Sequence, residues 1–244
     1  MPPWPTSSEP KGFSFGAILA TLGGAVVVIM IFAVIATVAV FHPTLGHRID
    51  PAHLSVGQIT AWQLIVEAPL VPYLLWAIPW AARRSLSELG FRIPQARDLG
   101  IALLAGLGMF LAVDVSGTLI ELLAHSKHEE QAVALFQQAH SQQEQIVFVL
   151  FGVVLAPVAE ELIFRVFVFN AAMRSGSFAW AATVSSVLFG LSHADLLFFV
   201  PLALGGVILC TAYYRSRNAW TSMIAHALFN AGGFLALYAQ MRHP

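Results

Sequence analysis

Three apolar runs of this chain each carry ionisable or amide side chains: Glu160, Glu161 and Arg165 in one, His193 in the next, His226 with Asn230 in another. A charge at the centre of a membrane helix costs roughly 2.5–3.5 kcal/mol on insertion scales, so several in one chain imply mutual pairing or a chemical task. Adjacent helical residues point about 100° apart, which gives Glu160 and Glu161 different partners. Arg165 lies four residues after Glu161, acid before base, the better order for a helical ion pair. This predicts a Glu161–Arg165 brace that leaves Glu160 as general base. His193 follows Phe189 by four residues, so the two share a face, as do His226 and Asn230. One carboxylate, two imidazoles and one amide suit amide hydrolysis: a base to take a proton from water, a second group to position it, and donors to hold the developing oxyanion.

Presenting these groups to one another requires helices that cross a bilayer. The chain has 244 residues, 58% hydrophobic and 10% charged, with mean hydropathy +0.76 and net charge −1. Soluble globular domains do not have this composition. The charge balance excludes a nucleic-acid footprint, and no basic tail marks a dedicated tether to anionic lipid. The partners expected are membrane lipid and a peptide or membrane-protein substrate. Cys210 is the lone cysteine, which excludes an internal disulfide and a cysteine zinc site.

Hydropathy marks segments 13–41, 58–82, 99–122, 146–172, 178–194, 196–214 and 218–240, each near the about 20 residues that span a bilayer. The expectation is an all-α polytopic membrane helix bundle of about seven transmembrane helices, with the reactive residues on helices four, five and seven. Residues 1–12, rich in proline, read as a disordered cytoplasmic lead. The uncharged run that follows exceeds the about 7–15 residues of a signal-peptide core and reads as a retained anchor. With the amino terminus inside, inner loops hold eight Lys or Arg (Lys11, Arg83, Arg84, Arg92, Arg97, Arg174, Arg215, Arg217) against three outside (Arg48, Lys127, Arg242), which favours that orientation. Trp76, Trp80, Trp180, Tyr213, Tyr214 and Trp220 fall at the inner ends, as an interfacial belt should. A plasma-membrane location with a cytoplasmic amino terminus follows.

Counting about 1.5 Å per residue from the inner-interface markers puts Glu160 roughly 21 Å deep, His193 roughly 20, Asn230 roughly 15 and His226 roughly 9, so His226 is the shallow member. Residues 85–97 suit a connecting loop with a short interfacial helix, and 126–145 an amphipathic helix on the outer face. Glu67 and Asp114, alone in apolar runs, read as interhelical tethers. The Gly106-Leu107-Gly108 and Gly205-Gly206 pairs read as helix-packing contacts.

The polar residues also form three motifs in order: Glu160-Glu161-Leu-Ile-Phe-Arg165, Phe189-Gly-Leu-Ser-His193 and His226-Ala-Leu-Phe-Asn230. On these the chain resembles the CPBP family of intramembrane proteases, which includes the type II CAAX-prenyl endopeptidases and bacterial relatives linked to bacteriocin processing and immunity. The resemblance covers roughly 85–240 and leaves two amino-terminal helices over 13–84 outside it. It implies an intramembrane endopeptidase acting on CAAX-type, bacteriocin or signalling peptides. In it Glu160 and His193 activate water, His226 and Asn230 stabilise the oxyanion, and Glu161, Arg165 and Phe189 support them. No cofactor is favoured. A zinc-dependent form, with Glu160, His193 and His226 as ligands, is the alternative within the class, but Asn230 is a poor zinc ligand and Arg165 opposes a bound cation. The alternative outside the class is a non-enzymatic membrane immunity or scaffold protein.

Overall fold

The computed structural model describes residues 12–41, 54–125, 131–139 and 141–242. The predicted lead falls almost wholly outside them. Among the described residues the chain is helical: α1 (Phe15–Phe41), α2 (Val56–Glu67), α3 (Leu70–Ala82), α4 (Ala96–Ala124), α5 (Gln131–Gln137), α6 (Gln142–Met173), α7 (Phe178–Ser192), α8 (Phe199–Ser216) and α9 (Ala219–Arg242). The segments α1, Val56–Ala82, α4, α6, α8 and α9 are long and apolar enough to cross a membrane, and α7 is a shorter apolar helix. An all-α bundle of about seven membrane helices is what the hydropathy predicted.

Large apolar side chains cover the outside, Val26, Met30 and Val34 of α1 and Leu103, Leu104 and Leu111 of α4 all being exposed. That is the surface hydrocarbon solvates. Without a hydrophobic drive between helices, close approach depends on small residues. Accordingly Ala102, Ala105, Leu209, Ala212 and Ala225 join α4, α8 and α9 in one buried cluster, and a Cβ on Gly106 would meet the Ala225 carbonyl at 3.2 Å. The glycine pairs are packing contacts, as expected.

Several expectations change. Residues 85–95 form turns with no regular helix: Gly90, at φ 97°, presses against the start of α9, and its carbonyl accepts the Ala219 amide at 2.9 Å. Arg92 and Asn218 then lock this loop to the α8–α9 corner, Arg92 donating to the Ser216 carbonyl and Asn218 to Asp98 at 3.1 Å. In place of one surface helix over 126–145 the described residues hold short α5, whose Phe136 packs on Phe148 and Phe234, and α6 already begins at Gln142, capped by Ser141. Tyr213 leaves the interfacial belt: it is buried, with its hydroxyl donating to the Leu89 carbonyl. Trp76, Trp80, Trp180 and Trp220 stay exposed. Asp114 is no tether: it faces outward and makes no hydrogen bond or ion pair among the described residues.

Two stretches of α6, Phe151–Leu155 and Leu162–Phe169, are wound as wide π-type turns. Such turns advance less along the axis per residue, so an α-helical count from Arg174 through Leu162–Phe169 overestimates the depth of Glu160.

Candidate active site

The two glutamates end Ala156–Glu161, the ordinary helical stretch between the wide ones. The Ala156 amide bonds back to the Phe151 carbonyl, five residues earlier. By the same spacing the Gly152 carbonyl needs the amide hydrogen of residue 157, and Pro157 has none. Asn230 of α9 takes that carbonyl, its Nδ2 donating at 2.7 Å. Wide turns of this kind recur at functional sites.

Glu160 and Glu161 diverge as neighbouring helical residues must. Glu161 is fully buried with its Oε1 2.9 Å from Nη1 of Arg165, itself fully buried. The guanidinium reaches on to the Gly206 carbonyl of α8 at 3.4 Å and lies 4.5 Å from the Phe189 ring centre. Gly206 has to be small: a Cβ there would stand 2.9 Å from Cβ of Ser186, forcing α8 away from α7. Glu160, by contrast, keeps 28% of its side chain exposed, so it is the carboxylate that water can reach.

His226 bridges the two acids. Its Nδ1 lies 3.2 Å from Glu161 Oε1 and its Nε2 3.7 Å from Glu160 Oε2. A carboxylate matched to a guanidinium offers only acceptor oxygens, so the hydrogen bond assigns a proton to Nδ1 and turns Nε2 toward Glu160.

His193 stands one residue beyond α7, as its exposed cap. Fifteen residues of helix extend about 22 Å against a hydrocarbon core of about 30 Å, so α7 ends short of a full crossing. The His193 Nδ1 lies 2.9 Å from the Phe189 carbonyl, which can only accept, leaving Nε2 as an acceptor. The Phe189 ring meets both imidazoles, with centroids 4.9 Å from His193 and 5.7 Å from His226.

The structure thus joins Glu160, Glu161, Arg165 and His226 directly, ties Asn230 to the same helix through Gly152, and links His193 only through Phe189. Glu67, expected as a tether, makes no hydrogen bond or ion pair among the described residues. Its signal in the sequence was a carboxylate alone in an apolar run, which gives presence but no direction. An apolar groove of about 500 Å³ between α2 and α6, lined by Leu64, Phe151, Leu155 and Val158, ends two residues before Glu160.

Among the described residues no three His, Cys, Asp or Glu side chains gather as a ligand group, and both nitrogens of His226 face carboxylates.

Residues 142–232 match the type II CAAX prenyl endopeptidase Rce1-like family. All three motifs lie in that span, from the wide turns of α6 to Asn230. Two curated relatives agree with this Rce1-like match. YdiL of Bacillus subtilis (strain 168), described as a candidate membrane peptidase, is 31% identical over 84 residues, 34% of this chain and 34% of its own. The membrane-embedded CAAX protease MroQ of Staphylococcus aureus (strain USA300) is 33% identical over 105 residues, 40% of this chain and 41% of its own. The chain therefore spans about a third to two fifths of the length of these relatives. No solved structure matches it. The apolar helices and the Rce1-like match together make it an integral, multi-pass membrane protein.

Proposed function

We propose that this protein is an intramembrane endopeptidase that hydrolyses a peptide bond with water activated by Glu160, without a metal. The observation that carries the reading is the division of labour between adjacent glutamates: Glu161 is consumed by Arg165 and His226, while Glu160 is exposed beside His226 Nε2. Glu160 removes a proton from water held against Nε2 of His193, and the hydroxide attacks the scissile carbonyl. The second hydrogen on Asn230 Nδ2 stabilises the oxyanion, and His226, held by Glu161, lines the same side of the site. Glu160 then returns the proton to the departing amine, so one water is consumed and one acid and one amine are formed. The substrate class is a peptide presented at or within the bilayer, with the apolar groove beside α6 as its approach. The amino terminus faces the cytoplasm across the plasma membrane, as the arginine count favours.

Purified protein carrying Glu160→Gln, tested on candidate membrane peptides, is the decisive experiment. Loss of about 10²–10⁴-fold in turnover with an unchanged melting temperature is expected. Unimpaired cleavage by this variant would remove Glu160 as base, and absence of any cleavage by the wild type on a whole membrane-peptide proteome would favour a scaffold.

A further inference from the structure

A second cavity, of about 320 Å³, lies at the end of the bundle where α1 and α9 begin and α3 and α6 finish. Its walls are the start of α1 (Gly12, Ser14, Gly16), the exposed indole of Trp80, and the side chains of Arg83 and Arg174. No acidic residue lines it. Arg83 has no side-chain partner among the described residues, and the one partner of Arg174 there is the Gly12 carbonyl. Two arginines line the cavity and no carboxylate does, so an anion entering it meets uncompensated positive charge.

We infer that this cavity binds a phosphate group, presented by an anionic lipid headgroup or in free form. Guanidinium forks match phosphate oxygens in pairs, and they hold them more strongly than an ammonium would. The Ser14 hydroxyl caps the 27-residue helix α1 from just before its first residue, accepting from the Ala17 amide at 3.2 Å, while the earlier amides of the first turn add positive potential on the same side. Trp80 sits where indoles settle in a membrane, at headgroup level. The site is remote from Glu160 and does not depend on the proposed protease reading.

Arg83 caps α3 with left-handed backbone, φ 52° and ψ 43°, a conformation that asparagine accepts. Arg83→Asn therefore removes the cation and keeps the cap. The full-length protein in neutral detergent would be titrated with short-chain phosphatidylglycerol, with phosphatidylcholine of the same chains and with inorganic phosphate, reading binding by native mass spectrometry and by the shift in melting temperature. Phosphatidylglycerol binding that weakens about tenfold or more in Arg83→Asn and is unchanged in Arg215→Gln, an arginine at the same end but away from the cavity, is the expected result. Binding of inorganic phosphate with the same dependence on Arg83 would assign the free anion as ligand. Equal binding of phosphatidylglycerol and phosphatidylcholine, equal loss in both variants, or no binding of any probe would overturn the inference.

Discussion

Asn230 donates its side-chain amide to the Gly152 carbonyl at 2.7 Å, across the gap between α9 and α6. Pro157 creates the need for that bond by withholding the hydrogen that the widened turn calls for. The side chain proposed to hold the oxyanion is thereby aimed by backbone chemistry on another helix. Asn230→Ala should lower turnover about 10²–10³-fold and stability by about 1 kcal/mol, because a half-buried acceptor loses its donor. Adding Pro157→Ala supplies a new amide hydrogen and should recover stability without activity. Melting curves and turnover on the same preparations separate the two effects, and recovery of turnover in the double variant would show that Asn230 acts only as a cap.

The Glu161–Arg165 pair should behave as a buried ion pair. Either Glu161→Gln or Arg165→Met alone is expected to cost about 3–5 kcal/mol, since each leaves a charge without its partner. The double replacement Glu161→Leu with Arg165→Met should regain most of that stability and none of the activity, because His226 then loses the acceptor that fixes its ring. Denaturation in mixed micelles and a cleavage assay check both halves.

Gly206→Ala tests the positioning of Arg165 from the opposite side. The added methyl meets Ser186, so α7 and α8 must part, at a cost of about 1–3 kcal/mol for overpacking. The Gly206 carbonyl leaves the guanidinium as they do. A melting temperature that does not fall would contradict the close approach.

Glu67→Gln should raise stability, as it deletes a carboxylate in an apolar span with no hydrogen-bond or ion-pair partner among the described residues. An exposed-loop change such as Ser87→Ala serves as the neutral reference. A fall in melting temperature would mean that Glu67 does tie helices together.

Chelation is expected to leave turnover unchanged, given a donor set that does not converge. Elemental analysis of the active protein checks it directly, and a stoichiometric zinc required for turnover would show that His193 moves in to join Glu160 and His226.

Much of this arrangement is legible in the amino acids alone. The Glu161–Arg165 brace and the Phe189–His193 and His226–Asn230 pairs follow from helical spacing, and the structure forms the first of them at 2.9 Å. What spacing cannot give is contact between helices. That His226 touches both glutamates through opposite nitrogens depends on how α6 and α9 turn against each other. The depth count set Glu160 too deep for a related reason: it assumed one pitch from Arg174 back to Glu160, and Leu162–Phe169 does not keep it. The end of α7 at Ser192, which leaves His193 as an exposed cap, is likewise set by the turn through Ala194 at φ 53° and not by any apolar period.

The widened coil ahead of Glu160 also works as a phase absorber. Such a turn takes up one extra residue while the coil on either side keeps its face, so excising one from Phe151–Leu155 would let it tighten to ordinary winding with the upstream rod still in register with the acids. Shortening by a single position there should therefore cost the protein the open Gly152 carbonyl that Asn230 caps rather than the facing of Glu160, whereas the same deletion in the ordinary stretch Gln142–Leu150 would turn the rod above it by about 100°.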